Sequence, residues 1–115
     1  MSRIYIATPI NGRHEPTRES RLEAARRRVE YIKDILEEGI WCGDYKYEFE
    51  ECVSTFDVND EEPCEEATAM GRCIELIMKC DAIYLDHGWL QSKGCNLEYR
   101  CAKIYGLMVF EHDKL

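Results

Sequence analysis

The residues best suited to chemistry stand close together in the run Ser92-Lys93-Gly94-Cys95-Asn96-Leu97-Glu98. Ser92 fits a helix N-cap, where its hydroxyl accepts from a first-turn N–H; Gly94 lets a ligand approach the backbone, and the free amides of the turn favour an anion. Glu98 lies one turn further in. Cys101, Ala102 and Tyr105 follow it at i+3, i+4 and i+7, so its carboxylate is expected at the edge of the buried face. The plain alternative is a glutamate that only complements the helix dipole.

Something must hold this turn in place. The apolar run Ala82-Ile83-Tyr84-Leu85 ends in Asp86-His87-Gly88-Trp89 just before it, which predicts a buried strand over 82–86 feeding a helix over about 93–105. Ile4-Tyr5-Ile6-Ala7 is a second doubly covered run, broken by Thr8-Pro9-Ile10-Asn11-Gly12. Leu22, Ala25, Val29, Ile32 and Leu36 repeat at spacings of three and four, predicting a helix over 18–38 that is stopped by Gly39, with Ser20 and Glu23 as a capping-box pair and Thr17 as a rival N-cap. Trp41 to Asp44 reads as a loop, and Cys52 to Phe56 as a more exposed strand. Asp60 to Pro63 suits the first turn of a helix whose apolar positions are Ala67, Met70, Ile74, Ile77 and Met78; Gly106 and the run Leu107 to Phe110 close the pattern with a fourth strand.

The alternation is βαβαβαβ, and right-handed crossovers then require an α/β fold: a three-layer, Rossmann- or flavodoxin-like parallel sheet of four to five strands in the order 2-1-3-4. The switch point falls between strands 1 and 3. Ile10, Asn11 and Gly12 are therefore expected beside Asp86 and the Ser92–Glu98 turn, lining a cleft.

Composition narrows the function classes. The 115 residues, 45% hydrophobic and 33% charged, suit one ordinary globular domain, and no run reaches the roughly 20 apolar residues of a membrane helix. No signal-peptide pattern opens the chain, and the seven cysteines, an odd number without a CxxC pair, read as reduced thiols, so a cytoplasmic protein is expected. The three histidines show no ligand spacing with them, and neither metal nor cofactor is expected. A net charge of −8 argues against a duplex nucleic-acid surface but allows a small anion held by backbone amides. The stretch Arg13 to Arg28 is arginine-rich and Asp44 to Glu66 acidic, so one copy could meet another.

Ile4 to Gly12, the strand start Cys80-Asp81-Ala82-Ile83, and Ser92-x-Gly94-x-x-x-Glu98 followed by Ala102 and Gly106 together resemble the nucleoside 2-deoxyribosyltransferase-like superfamily. That superfamily includes the deoxyribosyltransferases, the 2′-deoxynucleoside 5′-monophosphate N-glycosidases and many uncharacterised members. The resemblance covers nearly the whole chain except Trp41 to Glu61. It implies that Glu98 is the nucleophile at C1′ of the sugar, with Tyr5 close to it. Such chemistry is reasonable, because cleavage of an N-glycosidic bond develops oxocarbenium character that a fixed carboxylate can trap. The transferases have an aspartate at the Ser92 position and the monophosphate hydrolases a serine that contacts the 5′-phosphate, so the resemblance tilts toward a nucleotide; Ile10, Asn11, Gly12 and Gly94 fit the same side of the cleft.

One position departs from the family. Where relatives have an aspartate that assists the leaving base or orients the nucleophile, this chain has Cys73, and Asp86 is the nearest substitute acid, although it also reads as the polar end of a strand. His87 and Trp89 are further candidates for holding a base. Three functions stay open: hydrolysis of a (deoxy)nucleoside 5′-monophosphate, a nucleoside deoxyribosyltransferase, and a catalytically silent nucleotide-binding module. Each expects a nucleotide or nucleoside as partner, no membrane, and a homodimer or larger homo-oligomer.

Overall fold

The computed structural model describes residues 2–10, 16–59 and 66–115. Strand β1 (Arg3–Ala7) lies inside a four-stranded sheet, paired in parallel with β4 (Glu51–Ser54) on one side and β5 (Ala82–Leu85) on the other, and β6 (Met108–Glu111) pairs in parallel with β5. The order β4-β1-β5-β6 is the expected 2-1-3-4 arrangement, renumbered because a hairpin, β2 (Ile40–Cys42) and β3 (Tyr45–Tyr47), lies between α1 and β4 in the chain.

Strand period divides the core in two. Ile4, Ile6, Ala82 and Tyr84 point to one face, where helix α1 (Arg18–Glu37) buries Val29, Ile32 and Leu36 on them. Tyr5, Ala7, Ile83 and Leu85 point to the other, covered by α2 (Glu66–Ile77) and α3 (Lys93–Ile104) through Cys73, Ile77, Cys95, Cys101 and Ala102. Strands buried on both faces have no polar side to show, which is why β1 and β5 read as unbroken apolar runs.

Several local expectations are corrected. Thr17, not Ser20, caps α1: its Oγ1 accepts from the Ser20 N–H at 3.0 Å, while Glu23 pairs instead with Arg27 one turn on. Trp41-Cys42-Gly43-Asp44 is no loop but a strand and a tight turn, made possible by Gly43 at φ 62°. Gly39, at φ 90°, ends α1 under this hairpin, and a Cβ there would fall 2.7 Å from Lys46 Cε. Met78 and Tyr105, placed by their spacing on buried faces, are exposed.

β4 stops at Ser54, before Thr55 and Phe56. The buried Ser54 hydroxyl accepts from the Phe56 N–H at 3.2 Å, and Asp57 accepts from the Ser54 N–H at 2.7 Å, which coils Thr55–Asp57 into a 3-10 turn. This turn brings Thr55, Phe56 and Asn59 to the carboxyl edge of the sheet. Among the described residues no helix is long and apolar enough to cross a membrane.

Candidate functional site

Helices α1 and α3 begin where β1 and β5 end, so their N-termini open at the carboxyl edge of the sheet, together with that of α2. A cleft of about 770 Å³ lies there. Arg18, Glu66 and Lys93, from the first turns of α1, α2 and α3, line it, as do Ser92 and Gly94. Its inner wall holds Tyr5, Cys73 and Glu98 with Thr55 and Asn59.

Glu98 is only 6% exposed. Ser92 caps α3 by accepting from the Cys95 N–H at 3.2 Å, so the carboxylate one turn on faces the sheet, where the Tyr5 hydroxyl donates to its Oε2. Cys73 reaches toward both Tyr5 and Glu98 from α2. Its thiol donates to Thr55 Oγ1 at 3.2 Å and accepts from Asn59 Nδ2 at 3.4 Å; Asn59 also donates to Thr55 Oγ1 and to the Ala69 carbonyl, both at 3.1 Å.

The electrostatics follow from burial. Loss of water pushes the Glu98 carboxyl up from its ordinary 4.5 to about 7, and the contacts with Tyr5 and Cys73 only partly oppose this. Tyr5 is held well above a normal phenol by burial and then by the Glu98 charge, and the Cys73 thiol is raised for the same two reasons in the same order. Glu98 is thus the group of this trio that changes charge near neutral pH, the range that suits a general acid or base, while a nucleophilic role needs its ionised form.

Asp86 does not join it. It is 1% exposed, follows β5 on the α1 face, and accepts from Arg28 through Nε at 2.9 and 3.0 Å and Nη2 at 2.8 Å, from Thr8 at 2.7 Å and from the His87 N–H at 2.7 Å. Burial alone would raise its carboxyl, but the Arg28 hydrogen bonds, Thr8 and the Arg28 charge more than reverse this and hold it below the ordinary range. Arg28 also meets His112 Nε2 at 3.2 Å, and His112 Nδ1 lies 2.6 Å from the Tyr84 hydroxyl. Asp86 therefore anchors α1 and the C-terminal turn to β5, in place of the acid suggested beside the nucleophile. His87 pairs with Asp113 at 2.9 Å, and Trp89 packs on Tyr99 with ring centroids 4.9 Å apart; neither lines the cleft.

Of the residues expected from sequence, Tyr5, Ile10, Ser92, Gly94 and Glu98 share the cleft, while Asn11 and Gly12 lie outside the described residues. Gly94 has a packing role there, since a Cβ would meet Met70 Cε at 3.3 Å. Arg18, Thr55, Phe56, Asn59 and Lys93 also line the cleft and were not singled out by sequence. Arg18 and Lys93 carried one usable signal, a cation at the first position of a capped helix; Thr55 and Asn59 carried none, because the 3-10 turn that holds Thr55 and the bend after it that holds Asn59 have no hydrophobic period. Among the described residues no three His, Cys, Asp or Glu side chains converge to hold a metal ion.

The family described as a domain of unknown function, DUF4406, matches residues 2–111, so the chain belongs to that family. No curated protein matches it.

Proposed function

We propose that this member of the DUF4406 family hydrolyses the N-glycosidic bond of a (deoxy)nucleoside 5′-monophosphate, with Glu98 as the nucleophile. The observation that carries this reading is the position of Glu98, a buried carboxylate with a raised pKa that lines the same cleft as the capped N-terminus of α3. The likeness to nucleoside 2-deoxyribosyltransferase-like proteins at Ser92, Gly94 and Glu98 agrees with it. In this reading Ser92, the α3 amides, Arg18 and Lys93 hold the phosphate, and Glu98, oriented by Tyr5, attacks C1′. The C1′–N bond breaks as the C1′–O bond to Glu98 forms, and water then releases the sugar phosphate.

The test is incubation of the full chain with a panel of nucleotides and nucleosides, scored for free base. Release of base from monophosphates supports hydrolysis; release that requires an added acceptor base makes the chain a deoxyribosyltransferase. The second reading, a silent nucleotide-binding module, draws on Cys73, a thiol beside Glu98 where an acid could assist the leaving base. Binding without any base release would establish it. The proposal further takes the protein to be cytoplasmic and a homodimer or larger: Leu90 and Leu97 are exposed beside the cleft, and Ile104 is exposed at the far end of α3. Light scattering at micromolar concentration should give at least twice the 13.5 kDa chain mass.

A further inference from the structure

The sheet sets out the cleft in the order of a nucleotide. Strands β5, β1 and β4 are neighbours, about 4.8 Å apart, and their carboxyl ends lie side by side. The chain leaving β5 leads to the Ser92 cap of α3; on β1 the Tyr5 hydroxyl meets Glu98; the 3-10 turn that follows β4 carries Phe56. Ser92, Tyr5, Glu98 and Phe56 all line the one cleft. Two strand spacings, about 10 Å, therefore separate the end proposed for the phosphate from Phe56, and the carboxylate proposed to attack C1′ lies between them. Phosphate, sugar and base follow one another in a nucleoside monophosphate over a comparable span.

Phe56 is held as a platform at the far end of this row. Its N–H donates to Ser54 Oγ at 3.2 Å and the Ser54 N–H donates to Asp57 at 2.7 Å, which fixes where the ring leaves the backbone. The ring is half-buried against the α1-side core, and the Arg26 guanidinium lies over it, 4.6 Å from its centroid. A cation on one face of an aromatic ring draws π density toward itself. The opposite face becomes less negative, which suits stacking with a neutral, electron-rich ring.

We infer that the face of Phe56 turned from Arg26 receives the base, and that the base is a purine. Two fused rings overlap the platform more fully than the single ring of a pyrimidine, and stacking strength sets base preference at such surfaces. This rests on the nucleotide reading proposed above and names the base class that the same site takes. Phe56 is then a specificity-determining residue that touches the base, and Arg26 a positioning residue behind it.

The test is calorimetry on the full chain carrying Glu98→Gln, in which the proposed turnover is removed. The ligands are 2′-deoxyguanosine 5′-monophosphate, 2′-deoxyuridine 5′-monophosphate and base-free 2-deoxyribose 5-phosphate. The purine nucleotide should bind about tenfold more tightly than the pyrimidine nucleotide. Adding Phe56→Leu should weaken the purine about tenfold and the pyrimidine at most about threefold, leaving the base-free sugar phosphate unchanged. Phe56→Tyr, which keeps the ring, should keep the preference. Equal affinity for purine and pyrimidine, or a Phe56→Leu chain that loses all three ligands alike, overturns this inference and leaves the role of Glu98 standing. Base release by the wild-type chain is scored beside it. A purine preference that depends on Phe56 without any base release upholds the platform and overturns the hydrolase reading, while failure of every ligand to bind overturns both.

Discussion

Two carboxylates lie buried near the carboxyl edge of one sheet, Glu98 on the α2–α3 face and Asp86 on the α1 face. Asp86 meets a bidentate guanidinium, a hydroxyl and a backbone amide, and stays ionised below the ordinary range. Glu98 meets the Tyr5 phenol and the Cys73 thiol, and loss of water holds its proton up to about 7. The contrast teaches that burial alone does not make a carboxylate reactive or structural; the charge brought to meet it decides. A saturated anion is a brace, and an unsaturated one beside a cleft keeps the capacity to react that the proposed function assigns to Glu98.

Isosteric amides should separate the two most sharply. Glu98→Gln keeps size, helix propensity and an acceptor for Tyr5, so base release should fall at least 10³-fold while the melting temperature at pH 8 is unchanged or higher. Steady-state assay and calorimetry on one preparation check this. Full turnover in Glu98→Gln would sink the nucleophile assignment, leaving a glutamate that only serves the helix dipole.

Asp86→Asn should give the opposite pattern. It removes the anion that faces Arg28, whose side chain is 26% exposed, and a half-buried guanidinium loses its partner. Losing one partner of a well-buried pair costs about 3–5 kcal/mol; the solvent access of Arg28 reduces this to roughly 2–3 kcal/mol. Urea denaturation should show this loss, with kcat/KM per folded molecule within about threefold of wild type. A stable Asp86→Asn protein that has lost turnover would move Asp86 from brace to reaction.

How far sequence foretold this contrast depends on the range of the forces involved. The strand Ile4 to Ala7 was legible because a doubly covered strand must be apolar throughout, and α1 because its stripe from Ala25 to Leu36 keeps a helical period. The hairpin was not legible: Trp41 and Tyr45, both 63% exposed, are aromatics whose outward face breaks the apolar alternation. The place of Glu98 at the edge of a buried helix face could be read from the local spacing Ser92, Gly94, Glu98, since a capped helix start is set within a few residues, but that spacing alone suits a dipole-complementing glutamate equally. The role of Asp86 was hidden because Arg28 is 58 positions away and reaches it only through the packing of α1 on the sheet. Cys73, Thr55 and Asn59 likewise meet from α2 and the turn after β4, so their convergence has no signature in the linear chain.

The same contrast should appear in stability against pH. Glu98 binds its proton more tightly folded than unfolded, so its contribution is full below about pH 4.5 and is lost as pH rises to about 7. A shift of that size corresponds to a few kcal/mol at most, with Tyr5 and Cys73 free to relax. Asp86 runs the other way, since its carboxyl is depressed: its contribution is present above the unfolded carboxylate range and is lost as pH falls below it. Unfolding free energies of wild type and Glu98→Gln should therefore diverge between pH 4.5 and 7, with the variant losing less as pH rises. Parallel curves would mean that Glu98 is solvated, and its contrast with Asp86 would collapse.

The smallest expected effect concerns the phosphate-binding role proposed for the Ser92 end of the cleft. Ser92 is an uncharged cap, engaged with the Cys95 N–H, and Arg18 and Lys93 stand in the same cleft. An anionic group at this end gains from the α3 amides and two cations, and among the described lining residues the carboxylates it meets are Glu98 and Glu66. A nucleoside 5′-monophosphate should then bind about tenfold more tightly than its nucleoside, or about 1.4 kcal/mol. Ser92→Asp still caps α3, because aspartate is as good an N-cap as serine, so the fold is kept. It nevertheless sets a carboxylate where the phosphate is to lie, and two anions in one turn compete for the same amides and cations. The preference should vanish or reverse, with nucleoside binding little changed, as read by calorimetry at fixed ionic strength. Equal affinity of wild type for nucleotide and nucleoside would remove the phosphate from this end of the cleft, leaving Ser92 a cap alone.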